Sequence, residues 1–140
     1  MSPNPRDTLL FAPDPFVRRG VGIALEFRGH DVFPCVSLER AIVVARSGVH
    51  LRIVVIASEL PALETFETIK REFLARRDFS LPQFLVISFS GSDPIIERTV
   101  TTSGAHFLYG ADEPDRMLIR KLDLINLLLE EAPFVTIEHT

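Results

Sequence analysis

The stretch Leu51–Pro61, which reads LRIVVIASELP, decides the fold of this chain. Its centre, Ile53–Ala57, is an unbroken apolar run rich in β-branched residues, and such a run favours a strand that is buried on both faces. In an open α/β sheet, the residues just past the carboxyl end of a central strand line the crevice where ligands bind. Here that end offers the methyl group of Ala57 and the hydroxyl of Ser58. The stretch therefore predicts a central strand of a parallel sheet whose end carries no strongly reactive group.

The composition predicts one globular domain. The chain has 140 residues, of which 46% are hydrophobic and 24% are charged, which is too apolar for a disordered chain. The formal net charge of -4 argues against general nucleic-acid binding, which usually needs a basic face. The single cysteine, Cys35, cannot form an internal disulfide, and no window reaches the roughly 18 apolar residues of a membrane span. The polar start, MSPNPRD, lacks the apolar core of a signal peptide, so we expect a cytoplasmic protein with no membrane partner.

Short apolar runs alternate with segments of helical periodicity along the rest of the chain. The other predicted strands are Thr8–Ala12, Asp31–Val36, Phe84–Ser88 and His106–Tyr109. The predicted helices begin after Asp14 and after Ser37, cover Leu63–Arg77, run from Pro94 to about Thr102, and cover Asp112–Glu131. Pro34 lies within the second strand and predicts an edge position, because proline cannot donate a hydrogen bond to a ladder.

This alternation predicts βα units and a parallel sheet. We expect a flavodoxin-like α/β fold, which is a three-layer sandwich with a five-stranded parallel sheet in the order 2-1-3-4-5 and five helices. The first and fifth helices are expected on one face of the sheet. The predicted domain covers residues 8–131, with residues 1–7 as a disordered or extended amino terminus and 132–140 as a tail or the start of a linker.

Several landmarks, taken in order, resemble the CheY-like receiver domain of two-component response regulators. Asp14–Gly20, which reads DPFVRRG, is similar to the start of the first helix in receivers that precede helix-turn-helix output domains. Leu60–Pro61 stands where the family has Met-Pro after its phosphorylated strand, and Ser88 stands where it has a switch Thr or Ser. Phe66–Ile69 and Ser103–Ala105 continue a likeness that covers nearly the whole chain.

The resemblance also shows which family residues this chain lacks. The family moves a phosphoryl group from a histidine kinase to an aspartate, with Mg²⁺ held between carboxylates and a lysine that balances the charge. The family's acidic pair aligns with Ala12 and Pro13. Its acceptor aspartate aligns with Ala57, and its lysine falls near Ala111. Because phosphoryl transfer depends on positioning and electrostatics, the resemblance implies a pseudo-receiver that is not an enzyme and holds no cofactor or metal.

These positions define a degenerate phosphorylation pocket, which consists of Ala12, Pro13, Asp14, Ala57, Ser58, Glu59, Ser88 and Ala111. We interpret Asp14 as a helix cap, with a displaced metal ligand as the alternative. Glu59 and Glu64 could hold a cation weakly, but we interpret them as solvated acids. Ser58 has no histidine near it in sequence and is interpreted as a turn hydroxyl. The loop Ser88–Ser92 is interpreted as a capped loop, with an anion site as the alternative.

The four histidines show no ligand spacing, and no cysteine pair joins them, so no zinc site is expected.

The surplus of apolar residues on two helices carries more information. The fifth helix has a wider apolar stripe than one sheet contact needs, and the first helix has a second stripe away from its core residues. The resulting interface candidates are Phe16, Ile23, Phe27, Leu124, Leu127 and Leu128. Tight packing of both helices in a small core is the alternative.

The leading hypothesis is a non-phosphorylatable signalling module of two-component systems that acts through protein contacts. Its partner would be a kinase, a regulator or an output protein, or a second copy bound through the first and fifth helices as a symmetric dimer. Contact with nucleic acid would need a separate output domain. One alternative is an unorthodox receiver phosphorylated at Ser58 or at acids next to Glu59. Another is a flavodoxin-like domain that senses a small ligand, or a minor enzyme, in the strand-end crevice.

Overall fold

The structure is a computed structural model that describes residues 7–47, 49–58, 62–75, 81–89, 94–109 and 118–128. Its strands are β1 (Thr8–Phe11), β2 (Val32–Cys35), β3 (Ile53–Ser58), β4 (Gln83–Ser88) and β5 (His106–Tyr109). Its helices are α1 (Pro15–Phe27), α2 (Leu38–Arg46), α3 (Ala62–Leu74), α4 (Pro94–Thr102) and α5, which is described over residues 118–128. Among these described helices, none has the length and apolar character needed to span a membrane.

The sheet is parallel throughout, and its strand order is β2-β1-β3-β4-β5. This confirms the predicted order 2-1-3-4-5 and the flavodoxin-like class. The centre is β3, which pairs with β1 on one side and β4 on the other, and all of its residues are buried. Pro34 lies on β2, which is an edge strand as predicted.

The core lies on both faces of the sheet, because successive side chains of a strand point to opposite sides. One cluster, which includes Val54 and Ile56, joins the sheet to α2, α3 and α4. The other, which includes Val55 and Ala57, joins the sheet to α1 and α5. The three layers, and the placement of α1 and α5 on one face, agree with the prediction from sequence.

The predicted end of the first strand is wrong by one residue. The strand was expected to include Ala12, but β1 ends at Phe11. The Ala12 N–H still donates to the Cys35 carbonyl at 3.1 Å. The next residue is Pro13, which has no N–H and cannot extend the ladder.

Other predicted boundaries also differ from the structure. β2 is Val32–Cys35 and not Asp31–Val36. At its start, the Asp31 N–H donates to the Asp7 carboxylate at 2.9 Å and not to a neighbouring strand. β4 begins one residue earlier than expected, and α3 is Ala62–Leu74 and not Leu63–Arg77. Some predicted boundaries lie outside the described residues. These are positions 76 and 77 of the predicted third helix, both ends of the predicted fifth helix, residues 1–6 and the tail 132–140.

Two helices end at glycines with a left-handed backbone. Gly29 follows α1 with φ 88°, and Gly104 follows α4 with φ 95°. After Gly29, the His30 N–H donates back to the Leu25 carbonyl at 3.1 Å, which satisfies a carbonyl at the end of the helix. Residues with a Cβ rarely adopt this conformation, so glycine at these two positions lets the chain leave each helix without strain.

Asp7 joins three segments at the amino-terminal edge of the sheet. Its carbonyl accepts the Arg52 N–H at 2.7 Å, just before β3. Its carboxylate accepts the Thr8 hydroxyl at 3.0 Å and the Asp31 N–H at 2.9 Å. The His30 ring is buried beside it, with Nδ1 3.7 Å from an Asp7 carboxylate oxygen. Burial raises the pKa of Asp7, but His30, the Asp31 N–H and Thr8 lower it by more, so that the pKa lies below its ordinary value.

We expect Asp7→Asn to destabilise the fold at neutral pH, with a smaller effect in acid. A carboxyl group whose pKa is lower in the folded state stabilises the protein above its unfolded pKa, and that contribution is lost as the pH falls through the folded pKa. The difference in thermal midpoint between wild type and Asp7→Asn should therefore shrink below about pH 4. Thermal denaturation followed by circular dichroism across this range measures it. A difference that stays constant with pH would contradict the assignment.

Candidate functional site

The carboxyl-terminal ends of the strands meet at one edge of the sheet. Phe11 at the end of β1 pairs with Ile56, so the next residues, Ala12 and Ala57, lie side by side. Both are buried, at 0% and 1% exposure, and both belong to the cluster that faces α1 and α5. Ala12 and Ala57 stand where receiver domains have acidic residues. These two positions therefore hold methyl groups that pack against the core.

Asp14 lies just beyond the end of β1 and caps α1. Its carboxylate oxygen Oδ1 accepts the Phe16 N–H at 2.8 Å and the Val17 N–H at 3.1 Å. Pro15 occupies the first helical position, where a missing N–H breaks no helical hydrogen bond. The cap interpretation of Asp14 is confirmed, and its carboxylate is directed to the backbone of the helix.

Arg18 is a residue of this site that the sequence interpretation missed. Its guanidinium nitrogen Nη1 donates to the Ala12 carbonyl at 2.9 Å and to the Pro13 carbonyl at 3.2 Å. A fixed positive charge thus stands at the end of β1, where the resemblance places the metal-binding acids. It repels a divalent cation, and the repulsion is strongest where water is excluded. The only signal in the sequence is that Arg18 follows the cap by four residues, which equally suits a solvated arginine.

Two serine hydroxyls lie at the ends of neighbouring strands. Ser58 at the end of β3 pairs in register with Ser88 at the end of β4, and both residues are buried. The three histidines of the described chain are His30, His50 and His106, and each precedes or begins a strand, at the opposite edge of the sheet. Because a serine nucleophile needs an adjacent base, this separation supports a structural role for Ser58. The predicted turn position is wrong, since Ser58 is the last residue of β3 and pairs with β4.

Tyr109 completes the row of strand ends. It pairs with Ser88, and its hydroxyl donates to the Glu97 carboxylate on α4 at 2.9 Å. Its ring also meets Phe107 edge to face, with the centroids 4.9 Å apart. This arrangement holds β5 to α4.

Glu59, Ala111 and the loop residues 90–92 lie outside the described residues, so their part in the predicted pocket stays a prediction.

Carboxylates that could hold a metal are not grouped in the described part of the chain. No set of three His, Cys, Asp or Glu residues comes together there. Glu64 lies in the first turn of α3 and is exposed, in accord with its interpretation as a solvated acid. The described pocket residues therefore offer methyl groups, hydroxyls and the Asp14 carboxylate, which caps α1, and Arg18 adds a guanidinium beside them.

The predicted interface residues on α1 and α5 are exposed. Phe16, Ile23 and Phe27 on α1 are 87%, 45% and 80% exposed. Leu124, Leu127 and Leu128 on α5 are also exposed, whereas other apolar residues of α5, Leu118, Leu122 and Ile125, face the core. The two helices are neighbours, because Arg28 at the end of α1 forms an ion pair with Asp123 of α5, with Nε 3.1 Å from Oδ1. We call these six exposed residues the α1–α5 face.

A groove of about 240 Å³ lies between α3 and α4. Its lining includes Phe66, Lys70 and Leu74 on α3 and Thr99 on α4. Pockets that bury small molecules usually measure about 300 to 1,000 Å³. The groove is below that range, and it lies away from the strand ends.

Comparison with solved structures identifies the fold. No family model matches the sequence, and no curated protein matches it either. The chain is similar to chemotaxis protein CheY4 of Vibrio cholerae at 14% identity, with a TM-score of 0.65 over 86% of this chain and 98% of that one. It is similar to a CheY-like response regulator receiver domain of Methanospirillum hungatei at 13% identity, with a TM-score of 0.67 over 90% and 98%.

A third similar structure is a putative pilus assembly protein, CpaE2, of Sinorhizobium meliloti. It is 19% identical, with a TM-score of 0.60 over 80% of this chain and 93% of that one. Identities this low establish the fold alone. The chain has the CheY-like receiver fold, in agreement with the strand order predicted from the sequence.

We expect Asp14→Ala to lower the free energy of unfolding by about 1 kcal/mol, because two N–H groups of α1 lose their acceptor. Asp14→Asn keeps an acceptor oxygen and should retain most of the stability. Millimolar Mg²⁺ should leave the thermal midpoint of the wild type unchanged, since Asp14 is directed to the helix and Arg18 repels cations. A midpoint that rises with Mg²⁺ in the wild type and not in Asp14→Ala would show that Asp14 is a metal ligand.

Proposed function

We propose that this chain is a receiver-like signalling module that accepts no phosphoryl group and acts through protein contacts. The observation that carries the proposal is the pair of buried methyl groups, Ala12 and Ala57, at the strand ends, with the Arg18 guanidinium on the carbonyls next to them. The receiver fold supports a role in response-regulator signalling, with a kinase, a regulator or an output protein as partner.

Phosphoryl transfer to a carboxylate needs three things at the end of the central strand. These are a nucleophile, a cation that neutralises the developing charge, and groups that position the donor. Ala57 supplies no nucleophile, and Ala12 supplies no metal ligand. Among the residues that the structure describes, Arg18 forms no ion pair with a carboxylate, and its Nη1 donates to backbone carbonyls. These features support a module whose output is independent of aspartyl phosphorylation.

The proposed location is the cytoplasm, where response regulators meet their kinases. The net charge of -4 disfavours direct binding to nucleic acid. Contact with DNA would therefore pass through a separate output domain. A fixed conformation or a bound partner would bias its signal in place of phosphorylation, because any ligand that prefers one state shifts the equilibrium.

We expect that incubation with acetyl phosphate and Mg²⁺ leaves the intact mass of this chain unchanged. The physical reason is the missing carboxylate at Ala57. A receiver with a complete set of acids, treated in parallel, serves as the positive control. An added mass of about 80 Da would contradict the proposal. Repeating the reaction with Ser58→Ala would then separate phosphorylation of Ser58 from that of neighbouring acids.

We also propose that two copies of this chain associate through the α1–α5 face. Three of its residues, Phe16, Phe27 and Leu127, are at least 60% exposed. Large apolar residues exposed on two neighbouring helices are typical of an interaction site. A two-fold symmetric dimer is the simplest closed arrangement of identical chains, because each copy uses the same surface.

We expect light scattering to show a molar mass that rises toward twice the monomer value as the chain concentration increases. Phe16→Glu/Phe27→Glu should stay monomeric throughout, since it places charges in the apolar contact. Ile95→Glu is the matched control, because Ile95 is 75% exposed on α4, on the other face of the sheet. A wild type that stays monomeric into the submillimolar range would contradict the dimer and leave the phosphorylation result unaffected.

A further inference from the structure

The exposed side of α1 carries an apolar stripe whose residue spacing is the same in both directions. The stripe consists of Phe16, Gly20, Ile23 and Phe27, and we call it the α1 stripe. Its successive gaps are four, three and four residues, which keep all four positions on one side of a helix. Reversal of the helix exchanges Phe16 with Phe27 and Gly20 with Ile23 and leaves the spacing unchanged. An antiparallel pair of such helices is therefore self-complementary.

Gly20 forms a notch in the α1 stripe. A Cβ built on Gly20 would meet no atom within 4 Å, so the notch opens to the surface. In the antiparallel register, Gly20 lies opposite the partner's Ile23, and the isoleucine fills the notch as a knob fills a hole. Phe16 then lies opposite the partner's Phe27. The α5 leucines of the α1–α5 face belong to the helix that neighbours α1, so we expect them to extend the same contact.

Two charged residues flank the α1 stripe on one side. Arg19 and Glu26 are two helical turns apart, and both are exposed. Across the described residues, neither has an ion-pair partner within its own chain. Seven residues along a helix correspond to about 10 Å, which is too far for a direct contact between them. In an antiparallel pair, residues on the same flank meet, so Arg19 faces the partner's Glu26 and Glu26 faces the partner's Arg19.

A parallel pair fits these residues less well. It places Gly20 opposite the partner's Gly20, which leaves a gap, and crowds the two Ile23 side chains together. It also directs Arg19 toward the partner's Ala24, which offers no charge. The antiparallel register fills the notch and forms two equivalent ion pairs.

We propose that α1 pairs antiparallel with α1 of a second copy, with Gly20 against the partner's Ile23 and Arg19 against the partner's Glu26. This inference rests on the proposed dimer and specifies its register. Two-fold symmetry makes every contact occur twice, so a single substitution changes two contacts in the assembly.

The register is tested by exchanging the charges. Arg19→Glu and Glu26→Arg each replace two attractions with two repulsions, and each should weaken dimerisation on the order of tenfold. The double variant Arg19→Glu/Glu26→Arg should restore the wild-type dissociation constant, since opposite charges face each other again. Arg98→Glu on α4 is the matched control for the change in net charge, and it should dimerise like the wild type. Sedimentation equilibrium measures all four variants at low salt.

The possible outcomes separate the register from the dimer. If Arg19→Glu/Glu26→Arg dimerises no better than the single variants, this register is overturned. If Phe16→Glu/Phe27→Glu is monomeric in the same experiment, the α1–α5 face is still the interface. A wild type that does not dimerise would overturn both. Neither result bears on the phosphorylation experiment, which tests the module itself.

Gly20→Gln provides a second, independent test. Glutamine favours a helix more than glycine does, and the side chain has open space, so the isolated chain should become more stable. The same side chain fills the notch that the partner's Ile23 needs, so dimerisation should weaken at least tenfold. A more stable chain with a weaker dimer supports the notch. A more stable chain that dimerises like the wild type overturns it.

Discussion

The structure depends on the burial of β3 on both faces. Every residue of this strand is covered, by α1 and α5 on one side and by the other helices on the opposite side. Backbone groups buried in this way need hydrogen-bonded strands on both edges, and β1 and β4 provide them. Because helical crossovers connect parallel strands, the helical layers on both faces of the sheet follow from this constraint.

The same constraint determines the candidate site. Pairing of Phe11 with Ile56 sets Ala12 beside Ala57, and the pleat turns both side chains into the core under α1. A charge at such a buried position would need a metal or an ion partner. Methyl groups need neither, and Arg18 binds the carbonyl groups above them. The site is therefore stable as a packed strand end, and that stability is what supports a module without phosphotransfer.

In the proposed module, the surface of the domain carries the signal in place of the strand ends. The apolar residues of α1 and α5 divide into a buried set, which holds the layers together, and an exposed set on the α1–α5 face. Exposed phenylalanines add nothing to the core of an isolated domain. Their placement on two adjacent helices, with a notch and two complementary charges beside them, is what supports an interface between two copies.

The sequence by itself determined the local features and the topology. Asp14 and Ser37 cap their helices, Gly29 follows α1 with a left-handed backbone, and the alternation of short apolar runs with helical segments predicts the parallel sheet and its order. These signals are local, because caps, glycine conformations and periodicity act within a few residues.

Only the tertiary structure decided the features that join distant residues. Asp7 binds the Asp31 N–H across 24 positions, and Arg18 folds back onto the end of β1. A long polar side chain has many conformations in the unfolded chain, and the partners that select one of them come together only when the sheet has formed.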